Sequence, residues 1–181
     1  MFQQGDRVVY GWTGVCRVKE VAPRQEAGGK RDRLYYTLES QQNGCMIYTP
    51  VDSDKVFMRP VISRQEALDL IDQIPHIQAE AYRTPVTREL VEHYEEALRS
   101  RDCGDLIRLT MSIHAKKEGA AAQKRRFGAV DERFLRRGED LLFGELAAAL
   151  GIEPEQVPDF IASRVETLVG DAKPAVQSVD A

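Results

Sequence analysis

Leu34-Tyr35-Tyr36-Thr37-Leu38-Glu39-Ser40-Gln41-Gln42-Asn43-Gly44-Cys45-Met46-Ile47-Tyr48 is the stretch on which the fold turns. Its first five residues are aromatic, β-branched or leucine, the types that fit a pleated, half-buried surface. Asn43-Gly44 follows, the dipeptide that most readily takes the left-handed conformations of a tight hairpin. Cys45-Met46-Ile47-Tyr48 then runs back as the partner strand. Upstream, Arg7-Val8-Val9-Tyr10 reads as a short strand and Gly11-Trp12-Thr13-Gly14 as a turn. From Val15 to Val21 the residues alternate imperfectly, with Val15, Arg17, Lys19 and Val21 on one side and Cys16, Val18 and Glu20 on the other. Which side is buried stays open. Ala27-Gly28-Gly29-Lys30 reads as a loop, and Val56-Phe57-Met58 closes the series. Several short strands with a turn every ~10 residues predict a small N-terminal β-barrel.

Past residue 60 the period becomes helical. Ser63-Arg64-Gln65-Glu66 is a capping box, and Ala67, Leu70, Ile71 and Ile74 follow on one face until Pro75. Thr84-Pro85 reads as the next helix start, with Leu90, Tyr94, Ala97 and Leu98 as its apolar stripe. Asp102 is placed to cap a third helix carrying Leu106, Ile107, Thr110, Met111 and Ile113, which fades near Gly119. Asp131 reads as the cap of a fourth, with Leu135, Leu142, Leu146 and Leu150 inward. Gly151 stands where a left-handed C-cap belongs, with Ile152 folding back on the helix. A fifth helix is expected from Pro158 to about Leu168. The fold class is therefore β + α: a barrel over residues 1–60, an all-α bundle over 61–169, and a patternless, disordered tail over 170–181.

Composition fits a globular chain, with 43% hydrophobic and 30% charged residues. No run is apolar enough to span a membrane. The N-terminus lacks the pattern of a secretory signal, so the expected location is cytoplasmic. Cys16, Cys45 and Cys103 share no metal-binding spacing; Cys16 and Cys45 lie in apolar runs and read as small buried hydrophobes. Gly29-Lys30 has Arg24 where a phosphate-binding loop needs glycine, and His76, His93 and His114 share no metal spacing. The adjacent pairs Glu95-Glu96 and Asp131-Glu132 point to different parts of a helix surface. The reading is of a protein without catalytic residues, cofactor, metal or small-molecule substrate.

The charge is unevenly spread. The chain carries a net −4, yet residues 115–137 hold eight basic and three acidic side chains. Lys116-Lys117, Lys124-Arg125-Arg126, Arg133 and Arg136-Arg137 form a local basic segment suited to phosphate contacts. A solubilising loop paired with the acidic C-terminal third is the other reading.

Taken in order, several segments resemble the CarD/CdnL family of bacterial RNA polymerase-binding regulators. They are Gly5-Asp6-Arg7-Val8-Val9-Tyr10 with Gly14-Val15; Tyr48-Thr49-Pro50-Val51; Val61-Ile62-Ser63 to Ile74; Ser100-Arg101-Asp102-Cys103; and Leu135-Arg136-Arg137 to Gly144-Glu145-Leu146-Ala147. The resemblance covers roughly residues 1–165. It implies an SH3/Tudor-like barrel, shared with transcription-repair coupling factors, followed by a compact helical domain. It also implies that the barrel binds the polymerase β subunit by β-augmentation. Cys45, Met46, Ile47 and Tyr48 match that edge, and Arg24 and Tyr48 match positions often basic in the family.

For the helical domain the resemblance implies weak contact with promoter DNA within the polymerase complex, with a tryptophan wedged into the opened duplex. The wedge position falls on Thr87, with Tyr82 the nearest aromatic. Two basic family positions fall on Glu92 and Glu132. Arg88, Lys124, Arg125, Arg126, Arg133, Arg136 and Arg137 are the candidate DNA contacts. Trp12 reads as packing or domain-interface burial, with a partner-facing aromatic as the other possibility. The expected function is a polymerase-bound transcription regulator that modulates the promoter open complex. The alternative is an interaction module that binds polymerase, or another protein, without touching DNA.

Overall fold

The computed structural model describes residues 1–25, 32–100 and 102–171. The expected loop at Ala27-Gly28-Gly29-Lys30, Arg101 of the interhelical turn, and the tail from residue 172 onward lie outside them. The strands are β1 (Arg7–Tyr10), β2 (Gly14–Gln25), β3 (Asp32–Ser40), β4 (Met46–Pro50) and β5 (Met58–Pro60). They form one antiparallel sheet in the order β4-β3-β2-β1-β5. The expected barrel is corrected here: the sheet is open. Among the described residues β4 pairs with β3 alone and β5 with β1 alone, so neither end closes on the other. β5 has only three residues, and its Arg59 is drawn onto a helix.

The imperfect alternation of β2 has a cause. Val18 pairs with Leu38 but Glu20 pairs with Thr37, so Lys19 is the extra residue of a β-bulge. The bulge flips the strand's parity. Cys16 and Val18 enter the sheet's own core before it, and Val21 packs against that core after it, beside Val8, Tyr36 and Leu38. Val9 and Val15, paired across β1 and β2, are buried on the opposite face. There they line a small void with Leu106 and Leu141 from the helices. The sheet is thus covered on both faces near β1, which is why Val8-Val9 is apolar twice in succession.

Five helices follow: α1 (Arg64–Gln73), α2 (Thr87–Arg99), α3 (Cys103–Ala122), α4 (Ala129–Leu150) and α5 (Val157–Asp171). The capping box forms as read: Glu66 N–H donates to Ser63 Oγ, and Ser63 N–H donates to Glu66 at 2.7 Å. Asp102 caps α3 by accepting from Gly104 and Asp105. Gly151 takes the left-handed C-cap of α4, and the Ile152 N–H reaches back to the Ala147 carbonyl. Two starts differ from the reading. Helix α2 opens at Thr87, because Thr84 Oγ1 accepts from Val86 N–H and forms its own turn ahead of it. Helix α4 opens behind Gly128, so Asp131 is not its cap. That carboxylate turns inward, accepting from Tyr94 Oη and Lys116 Nζ, both at 2.7 Å. Gly170 and Asp171 belong to α5, contrary to the expected start of the tail.

Leu90, Tyr94, Leu98, Leu106, Ile107, Ile113, Leu135, Leu142 and Leu146 share the helical core. Arg164 on α5 pairs with Asp72 on α1 at 2.7 Å, tying the last helix to the first. No described helix is long and apolar enough to cross a membrane.

Candidate functional site

The open edge is β4. Ser40 N–H donates to the Cys45 carbonyl and Val51 N–H to the Leu34 carbonyl, both at 2.9 Å. Antiparallel alternation then turns the backbone groups of Cys45, Ile47, Thr49 and Val51 toward β3. Those of Met46 and Tyr48 point away from the sheet, as does the Pro50 carbonyl. Pro50 lacks an N–H at a position where the ladder does not need one.

Side chains follow the other alternation. Ile47 faces the sheet core opposite Leu38, and Thr49 is buried opposite Tyr36. Met46 and Tyr48 stand on the outer face with 44% and 50% of their surface exposed. Arg24 on β2 lies over the Tyr48 ring, its guanidinium carbon 3.8 Å from the ring centre. Arg24 and Tyr48, twenty-four positions apart, are therefore one feature: a planar cation held on an aromatic face beside an unpaired strand edge. Cys45 precedes the strand and is an exposed free thiol, not the buried hydrophobe expected of it. Its N–H donates to the Asn43 side chain in the turn, while its carbonyl makes the bond to Ser40 that opens the ladder.

The basic residues divide. Lys124, Arg125 and Arg126 are exposed in the link between α3 and α4, where Lys124 takes φ +52° and the Arg125 N–H closes the helix end on the Ala120 carbonyl. Arg133 and Arg136 are exposed on the first turns of α4. Arg137 donates to the Trp12 carbonyl at 2.6 Å. Arg88 on α2 is paired with Glu92 at 2.8 Å. Lys116 is half-buried against Asp131 and does not face solvent with the others. Trp12 belongs to neither core and is 40% exposed.

The structural role of one residue escaped the sequence reading. Glu145 on α4 is only 2% exposed. It accepts both Arg59 guanidinium nitrogens from β5, the Ile62 N–H at 3.2 Å, and the Cys103 thiol of α3 at 3.0 Å. Burial, reinforced by the facing carboxylate, holds the Cys103 thiol far above its ordinary pKa, so it stays a donor. Glu145 thus joins the last strand, the first helical link and two helices at one carboxylate. Arg7 to the Ala148 carbonyl at 2.9 Å and Gln42 to the Asp140 carbonyl at 3.1 Å flank it. The signal was present: Glu145 falls three positions after Leu142, within the inward stripe of α4, where an unpaired carboxylate would not be tolerated.

No curated protein matches the chain. Residues 2–62 match the model of the CarD-like/TRCF RID domain, a stretch that ends just before α1. The sheet, about a third of this chain, is therefore similar to the CarD-like/TRCF RID domain, a polymerase-interacting domain family.

Proposed function

We propose that the protein is a transcription regulator that docks on the RNA polymerase β subunit through β4 and modulates the promoter open complex through its helices. The observation that carries this reading is the side of β4 left unpaired among the described residues, within a domain similar to a polymerase-interacting family. A partner strand would pair with the outward backbone groups of Met46 and Tyr48. Main-chain hydrogen bonds supply the affinity, while the Met46 side chain and the Arg24–Tyr48 stack supply the selectivity. The work is done by binding, without catalysis or cofactor. Docking places the helices near promoter DNA at high effective concentration, so a chain of net charge −4 needs little DNA affinity of its own. The location that follows is cytoplasmic, at the nucleoid, through polymerase.

A pull-down of the full chain on the polymerase β subunit tests the docking. Met46→Pro is expected to lose capture while the protein stays folded; undiminished capture would sink the reading. A second reading, docking without DNA contact, draws on the Arg88–Glu92 pair and on Thr87 at the position of the family's tryptophan. Promoter footprinting separates the two. Replacing Lys124, Arg125, Arg126 and Arg133 together with alanine shortens the lifetime of the promoter complex under the first reading and leaves it unchanged under the second.

A further inference from the structure

From Cys45 to Val51 the β4 edge carries no charged side chain. Exposed edge strands are ordinarily blunted by charge, because an uncharged edge is a template for another strand. Met46 and Tyr48 add large, half-exposed side chains beside the outward backbone groups. The other end of the sheet offers no comparable edge: β5 has three residues, and its Arg59 is bonded to Glu145 on α4.

The β4 edge is complementary to itself. Two copies laid antiparallel about a twofold axis through Ile47 set Met46 of one copy opposite Tyr48 of the other. Both residues turn N–H and carbonyl away from β3, so each Met46–Tyr48 pair exchanges hydrogen bonds in both directions. Ile47, whose backbone groups face β3, meets the second Ile47 as the non-hydrogen-bonded pair, and the sheet core continues across the axis. On the outer face the Met46 thioether reaches the Tyr48 ring of the second copy, a favourable sulfur–aromatic pairing. Arg24, 3.8 Å from that ring centre, borders the contact. Moving the axis to Tyr48 sets the two arginine-bearing rings side by side and offers Met46 the N–H-less Pro50. Like charge and a missing donor both disfavour that register.

We propose that β4 pairs with β4 of a second copy of this chain to form a weak, symmetric dimer. Association stops at two, because each copy uses its one long open edge. The pairing stands on the geometry and charge of the edge. Its consequence, that the dimer withholds the edge from polymerase, rests on the docking reading above. Dilution or a competing partner strand releases it.

Sedimentation velocity of the full chain is expected to show monomer passing to dimer as concentration rises. Met46→Lys sets a cation opposite the Arg24–Tyr48 stack of the second copy. It should weaken the dimer by about tenfold, because the altered pair occurs twice. Met46→Glu should tighten it, since a carboxylate there meets the guanidinium. Circular dichroism verifies that both variants fold, and a merely structural effect would not reverse with the sign of the charge. The polymerase β subunit should dissociate the dimer, so that captured chain is monomeric. A monomer at every concentration overturns the proposal, as does a dimer indifferent to both Met46 variants or one that stays paired on the captured β subunit. Each of those results leaves the docking reading standing. A dimer that follows the Met46 charge series in a chain the β subunit never captures bears out the pairing and fails the docking reading.

Discussion

Two neighbouring residues on β4 illustrate how far one position matters. The Met46 N–H faces away from the sheet, whereas the Ile47 N–H belongs to the ladder opposite Leu38. Met46→Pro should leave the thermal midpoint nearly unchanged and abolish capture by polymerase. Ile47→Pro should break the β3–β4 ladder, lowering the midpoint before any partner is offered. Melting curves set beside the pull-down check both. Equal thermal loss in the two variants would contradict the assigned alternation. Buried polar residues differ from surface ones in the same way. Replacing Arg59 with leucine strands the Glu145 carboxylate and should cost about 3–5 kcal/mol in a denaturant titration. Breaking the exposed Arg88–Glu92 pair should cost less than about 0.5 kcal/mol. Tyr94→Phe removes one of the donors to Asp131 and falls between, at about 1 kcal/mol.

Among the elements, the helix ends carry much of what is testable. Ser63→Ala removes the cap of α1 and should cost about 1 kcal/mol. Acid should act through several ends at once. Hydrogen bonds from the Ser63 backbone and side chain hold Glu66 below its ordinary pKa. The Arg164 guanidinium does the same to Asp72, and Ser100 with Arg108 to Asp105. A carboxylate depressed in the folded state stabilises fully above its unfolded pKa of about 4 and loses that contribution as pH falls through the folded value. The midpoint should therefore hold steady from neutral pH to about 5 and fall progressively below 4. Asp72→Asn should make that fall shallower, because one of the linked protons is gone. A midpoint that rises on acidification would refute the linkage.

For the molecule as a whole, the question is whether sheet and helices move as one body. The two have separate cores, one around Val8, Val18, Tyr36 and Leu38, the other around Tyr94, Ile107, Ile113 and Leu146. Glu145, with Arg59, Ile62 and Cys103, is the buried polar joint between them. The parent chain should unfold in a single transition by both Trp12 emission and helical circular dichroism. Arg59→Leu should separate the two signals. The Trp12 turn and the β4 edge lie in the same sheet, one against α4 and one at the far end of the strand order. A rigid joint is what would let docking at one end set the position of the basic face at the other.

Much of this was legible in the chain itself. Asn43-Gly44, the Ser63 capping box, Asp102 and Gly151 encode their turns and caps locally, because each acts through backbone groups within a few residues. The apolar stripes of α1 to α4 were equally readable, since periodicity decides which face is buried. The resemblance of the N-terminal segments was legible too, and the family match over residues 2–62 agrees with it. Long-range choices were not legible. The bulge at Lys19, the open ends of the sheet, Asp131 turning inward, the Arg24–Tyr48 stack and the Glu145 joint all depend on which distant elements meet. Local preference is worth tenths of a kcal/mol per residue, but a buried carboxylate without its partner costs several. Local order was therefore written in the sequence, while the pairing of buried charges and the freedom of the β4 edge were decided by packing alone.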